Sequence, residues 1–376
     1  AMVVENFTNV KFVVEDGYAE GVETMLPMNV EGKSILAWYR NSDYQGDTYD
    51  RIYSHESGEQ HYFGRVSSVK LVNGCYEISD AEGLYDFALL VSQDGEICGK
   101  LTKDIVDNEN VLESDGSLNP YVYWHRQWTP IGSVFNPFKG TFDGQGHSIS
   151  GLFFKKDVVE QYGSNRIGLF GYVESNNNKV VSIKNLVVKD SYIWGYENVG
   201  GIIGEARNVN LIVETCGFEG VVTAENSTAA GIIGYANETQ MGSTTIVVRN
   251  SYNRGLLKSY DRVGGIIGAT FVQTQVLNSY NMGTLEAQSS PSGQIIAYAS
   301  NGASRLVENN FIIGSEDDDF GAAKSAEDFA NGSVAELLHG YSENGVDGSI
   351  WGQNVTAGDK YPNFSGSIVK PELVLT

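Results

Sequence analysis

The chain is poor in the residues that carry most active-site chemistry. Its 376 residues hold 3 Cys, 5 His and 7 Pro. Three cysteines do not make a disulfide framework. Cys75 and Cys98 fall in neighbouring predicted elements; the expectation is two buried free thiols, with a pair between them as the alternative. Positive charge is scarce as well: 25 Lys and Arg face 47 Asp and Glu, a formal net charge of −22. That balance argues against a nucleic-acid partner, whose phosphates are neutralised by Lys and Arg. No apolar run reaches the roughly 18 residues of a membrane helix, so no membrane span is expected. The opening Ala1-Met2-Val3 shows no signal-peptide pattern, and a removed export signal would leave no trace.

Glycine and aromatic residues are plentiful. The 44 Gly, 21 Tyr and 16 Phe suggest strands and tight turns rather than helix bundles. One phrase recurs: Ile-Gly-Leu-Phe-Gly, Gly-Gly-Ile-Ile-Gly, Ala-Gly-Ile-Ile-Gly, Gly-Gly-Ile-Ile-Gly and Gly-Gln-Ile-Ile-Ala. It ends at Gly171, Gly204, Gly234, Gly268 and Ala297, with spacings of 33, 30, 34 and 29 residues. A period of this length marks a stacked solenoid, in which repeats build surfaces more often than single catalytic sites. The acidity lies outside it, because residues 165–300 carry 10 acids against 9 bases.

Each repeat has a second apolar stroke, at 183–188, 211–215, 246–252, 276–280 and 306–312. Aligned on it, Asn185, Thr215, Asn250, Asn278 and Asn309 share one column. Tyr252, Tyr280 and Phe311 share another, as do Gly220, Gly255, Gly283 and Gly314. In a parallel stack such columns become ladders about 4.8 Å apart. The Asn column is expected to hydrogen-bond along the axis, and the Gly column to mark a corner with a φ that only glycine tolerates. Lys184, Glu214 and Arg249 alternate in sign, as do Lys189, Glu219 and Arg254, which suits an in-register stack.

The flanks read differently. Residues 1–72 form a small β-rich unit without the repeat. Residues 73–164 hold a helical cap and the first coils: Ser79 and Glu82 fit a capping box, and Leu84, Phe87, Ala88 and Val91 follow helical spacing. The repeats occupy 165–315. Residues 316–376 read as a C-terminal cap and tail, in which Ser325 with Asp328 and Ser333 with Glu336 again suggest helix starts.

The repeated phrase, together with Leu101-Thr-Lys-Asp-Ile105, Trp128-Thr-Pro-Ile-Gly132, the glycine-rich stretch 138–152 and residues 325–338, 351–353 and 361–364, resembles the GLUG repeat of exported surface proteins of gut bacteria. Some of those repeats are attached to immunoglobulin-A-cleaving proteases and adhesins. The resemblance spans about residues 75–366. It implies an all-β, right-handed parallel β-solenoid at the cell surface or outside a bacterium, and it implies no reaction.

Candidate sites are few. In the aromatic segment 119–128, Tyr121, Tyr123, Trp124, His125, Arg126 and Trp128 are weak candidates for glycan contact, with rings stacked on sugar faces. The favoured reading has Trp128 and Tyr123 plugging the first coil. Strand alternation would set Phe170, Ile203, Ile233, Ile267 and Ile296 outward, either covered by another element or bare as a partner surface. Asp317, Asp318 and Asp319 are weak calcium candidates; no other cofactor is indicated. His55 and His61 lack metal-helix spacing and read as a polar loop, and Asp143 with His147 as a structural turn. Glu214 and Glu219, between cations, read as ladder members rather than as the carboxylate pair of a glycosidase. The expected function is adhesion, display or contact with a host or dietary glycan or a surface protein. A carbohydrate-active enzyme on a β-helix is the alternative, and an architectural stalk the third reading.

Overall fold

The computed structural model describes residues 2–6, 9–14, 24–30, 33–43, 47–52, 60–155, 165–175, 179–240, 242–290, 292–302 and 304–371. At the N-terminus, strands Met2–Asn6, Asn9–Val14, Gln60–Val66, Lys33–Tyr39 and Asn29–Val30 form an antiparallel sheet in that order. Leu26, Val30, Ile35, Trp38, Ile52 and Tyr62 make its separate core.

Between Cys75 and Lys324 the chain forms a parallel β-solenoid of about five turns. Its long wall stacks Cys75–Ile78, Cys98–Leu101, Thr141–Ser150, Val180–Gly195 and Asn210–Ala224, each in parallel register with the next. Shorter strands continue it to Phe311–Ile313 and Ala322–Lys324. Two further walls run alongside. One stacks Asn165–Ile167, Glu197–Gly200, Thr228–Ala230 and Arg262–Gly264; the other runs from Phe170–Glu174 to Ile296–Ala299. Inward residues of all three walls share one core.

Helix α1, Ala81–Gln93, buries Leu84, Phe87 and Val91 against the first coils. Its cap is Asp80, not Ser79: the Asp80 carboxylate accepts the Gly83 amide at 2.7 Å. Cys75 and Cys98 sit opposite one another on paired strands and form a disulfide across 4.5 Å between their Cα atoms. The expectation of free thiols is corrected here, because in-register parallel strands bring the two side chains onto one face. Cys216 is the buried free thiol, and burial pushes it up to about 12.

The columns hold, with one exchange of roles. Asn185, Thr215, Asn250, Asn278 and Asn309 have φ of 58°, 55°, 47°, 52° and 52°, so this column, not the glycine column, takes the left-handed corner. Asn278 donates to Asn250 at 2.7 Å and Asn309 donates to Asn278 at 2.6 Å. Gly220 and Gly255 do a different job: a Cβ there would stand 2.5 Å from a carbonyl oxygen of the preceding coil. The charged column gains a member, running Asp143, Lys184, Glu214, Arg249, with Arg249 Nε 2.9 Å from Glu214.

The Gly-Ile-Ile-Gly phrase straddles a corner instead of lying within one strand. Gly200 ends one strand and Ile203 opens the next. Both isoleucines of each phrase then point into the core: Ile202 and Ile203, Ile232 and Ile233, and Ile266 and Ile267 are each fully buried. Phe170, Ile203, Ile233 and Ile267 are therefore core residues and not a partner surface. Alternation by one residue holds only along a continuous strand, and this chain bends there. The corner stacks through shared carbonyls, Ile266 O accepting both Ile232 N at 3.2 Å and Ile233 N at 3.0 Å.

The C-terminal segment lies along the flank. Helices α2, Ala326–Ala330, and α3, Ser333–His339, follow the last strand of the long wall. Ser325 and Asp328 make the expected capping box, whereas Ser333 is already helical behind Gly332. This segment covers the outward Tyr252, Tyr280 and Phe311 with Phe329, Val334, Leu338 and Trp351. It also satisfies the Asn corner: Asn250 donates to Asp347 O at 2.9 Å, Asn278 to Leu338 O at 2.9 Å and Asn309 to Leu337 O at 3.2 Å.

Candidate binding groove

Beyond the covered flank, the strands turn at residue 190 and present a second outward face. Along 192–195 the side chains alternate: Ile193 is buried in the core, while Tyr192 and Trp194 face out. Parallel register then stacks Tyr192, Val221, Leu256 and Thr284 in one column and Trp194, Thr223, Lys258 and Glu286 in the next.

A hairpin forms a wall over these columns. Leu112 bridges to Leu118, buried Val111 anchors the base, and Gly116 (φ 82°) makes the turn. At its tip Asp115 accepts Ser117 N at 2.9 Å and Ser117 Oγ at 2.6 Å, which holds its carboxyl below the usual range. Two adjoining cavities, about 810 and 750 Å³, share Asp115, Gly116, Val221 and Leu256 and so form one groove. Tyr260 stands at one edge and Tyr361 at the other, where the Arg254 guanidinium lies 5.2 Å from the Tyr361 ring centre. Four stacked strands at about 4.8 Å make the groove roughly 14 Å long along the axis.

The aromatic segment predicted to contact ligand divides in two. Trp128 is a plug, 1% exposed, with Nε1 donating to Gly168 O at 3.0 Å and its ring 5.0 Å from Tyr85. Tyr121, Tyr123 and Trp124 are 77%, 83% and 94% exposed on a single 3₁₀ turn. Asn108 holds this turn, accepting Arg126 N at 2.8 Å and donating to Arg126 O at 3.1 Å. The Arg126 guanidinium sits 3.4 Å above the Tyr85 ring and pairs with Glu82. His125 meets Phe153 edge-on at 5.6 Å, and Phe153 stacks on Tyr192 at 6.2 Å, so a line of rings joins the turn to the groove. Beneath the turn, Asp107 accepts the Tyr85 hydroxyl at 2.9 Å, and burial pushes Asp107 up to about 6.

Other predicted groups are tied into structure. Glu219 accepts Tyr252 Oη at 2.6 Å and pairs with Arg254, while Glu214 pairs with Arg249. Asp317 accepts Ala323 N at 2.7 Å, and Asp318 accepts Gln294 N at 2.8 Å and Phe320 N at 2.9 Å. These carboxylates fasten a loop, and no three His, Cys, Asp or Glu side chains converge on a cation position among the described residues. Asp143 accepts Gln145 N at 2.8 Å in a turn, as expected. His55 lies outside the described residues. Sequence reasoning missed Tyr192, Trp194, Tyr260, Tyr361 and the 112–118 hairpin. Extending the alignment past the glycine column would set Trp194 beside Ala224; a register shift between Lys189 and Tyr192, which the repeat does not reveal, sets it beside Thr223 instead.

No family model matches the chain. A stretch of 131 residues, 35% of the chain, is 28% identical to Halomucin of Haloquadratum walsbyi, and the chain spans 1% of that protein's length. A crystal structure from Bacteroides ovatus, described as a candidate immunoglobulin A1 protease, is similar over 78% of this chain and 92% of that one. The identity is 16% and the TM-score 0.45.

Proposed function

We propose that this chain is a secreted or surface-displayed β-solenoid that holds a glycan in the outer groove without transforming it. The observation that carries this reading is the groove floor, where Tyr192 and Trp194 face out beside the polar groups of Thr223, Lys258 and Glu286. Rings offer sugar faces a flat apolar platform, and the polar side chains offer hydroxyl partners. The Cys75–Cys98 disulfide supports an oxidising, extracytoplasmic setting. The resemblance to GLUG repeats of bacterial surface proteins points the same way. Trp124 on its exposed turn extends the contact beyond the groove. A glycan array probed with the whole chain tests this. Binding that weakens in Trp194→Ala supports the reading, and release of reducing ends or unsaturated uronates from any bound polysaccharide would replace it with the enzymatic one.

A further inference from the structure

Resting on that reading, we infer that the groove accepts neutral glycans and rejects acidic ones. Its lining brings the carboxylates of Glu113, Asp115, Asp190, Glu219 and Glu286 together against two cations, Arg254 and Lys258. Both cations are engaged within the groove itself. Lys258 Nζ lies 2.9 Å from Glu286, and Arg254 pairs with Glu219 while its guanidinium stands over Tyr252 and Tyr361. A uronate, sialate or sulfate entering here would have to break an ion pair to reach either cation, and the next one, Lys155, is held over the Trp194 ring at 5.5 Å. Such an anion would also meet the field of Glu113, Asp115 and Asp190, which a concave site concentrates. A neutral sugar meets no such penalty, and carboxylates that accept its hydroxyl protons become assets.

Titration of the whole chain on an array pairing neutral polysaccharides (glucans, mannans, xylans, galactans) with uronate-bearing, sialylated and sulfated ones decides the matter. Neutral ligands should bind with little dependence on salt. Acidic ligands should bind about tenfold or more weakly at low ionic strength, the gap narrowing as salt screens the field. Asp115 and Asp190 are exposed, and Asp190 has φ of 49°, which asparagine tolerates. The double variant Asp115→Asn, Asp190→Asn should therefore fold and narrow the gap at low salt by strengthening the binding of acidic glycans. Acidic glycans bound as tightly as neutral ones at low salt overturn the inference alone. Binding of no glycan in either class overturns it together with the functional reading.

Discussion

Two outward faces of the same solenoid wall lie side by side and have opposite fates. On one, Tyr252, Tyr280 and Phe311 stack in register and are 2%, 0% and 5% exposed beneath the C-terminal segment. On the other, Tyr192, Val221, Leu256 and Thr284 stack in the same way, and the 112–118 hairpin stands over them as one wall of a groove. The covered face has its polar atoms answered from within: Tyr280 Oη donates to Pro362 O at 2.7 Å, and Trp351 Nε1 donates to Asn250 at 3.1 Å. The open face alternates apolar rings with charged and hydroxyl groups. Tyr361, next to the Pro362 that caps Tyr280, stands at the boundary. Where the C-terminal segment covers it, the ladder becomes core; where that cover stops, the ladder lines a groove.

The comparison can be broken most forcefully on the covered side. Trp351→Ala removes a fully buried ring that packs on Tyr280 at 5.5 Å and Phe364 at 4.8 Å. It should cost about 3–5 kcal/mol in urea unfolding. Glycan binding by the fraction that remains folded should be unchanged. Replacing Cys75 and Cys98 with Ser should cost about 2–4 kcal/mol, seen as a lower Tm in the variant and in reductant-treated native chain alike. On the open side, Trp194→Ala should weaken glycan binding about tenfold, near 1.4 kcal/mol. Its unfolding midpoint should stay close to that of the native chain, and a large loss of stability would mean that the two faces do not differ as argued.

Smaller effects sharpen the picture. Thr215 is the β-branched member of the left-handed corner, at φ 55° between Asn185 and Asn250. Thr215→Asn should stabilise by about 1 kcal/mol, from relief of that conformation. Asp107 gives a pH signature. Its folded value is raised to about 6, so its ionisation penalises the folded chain. That penalty is absent below about pH 4 and complete above about pH 6, so this group's contribution to stability falls as pH rises through the window. Asp107→Asn keeps an acceptor for Tyr85 and should flatten that part of a Tm-against-pH curve.

Much of the stack was legible because a parallel register forces identical positions onto one another. The period, the Asn and Tyr columns and the alternating charges all reappear as paired strands. The conformational role of the corner was legible in kind but assigned to the wrong column, since Asn and Gly both enter the left-handed region and sequence does not say which column bends. The isoleucine pair was misread for a related reason: two apolar neighbours face opposite ways in a strand and the same way across a corner. Trp124, exposed on its turn outside the groove lining, was singled out because clustered aromatic residues stand out in sequence. Trp194 was not, because a register shift between Lys189 and Tyr192 sets its place on the wall and the 112–118 hairpin, far from it in sequence, makes that place a groove.

The sequence by itself determined the period, the parallel register and the ladder chemistry, since these follow from nearest-neighbour stacking of like upon like. Only the tertiary structure decided which ladder is buried and which lines a groove. That choice depends on where two non-repeating segments, the 112–118 hairpin and the 325–364 tail, are laid against the wall. They contribute burial and hydrogen-bond partners that no local pattern in the repeats specifies.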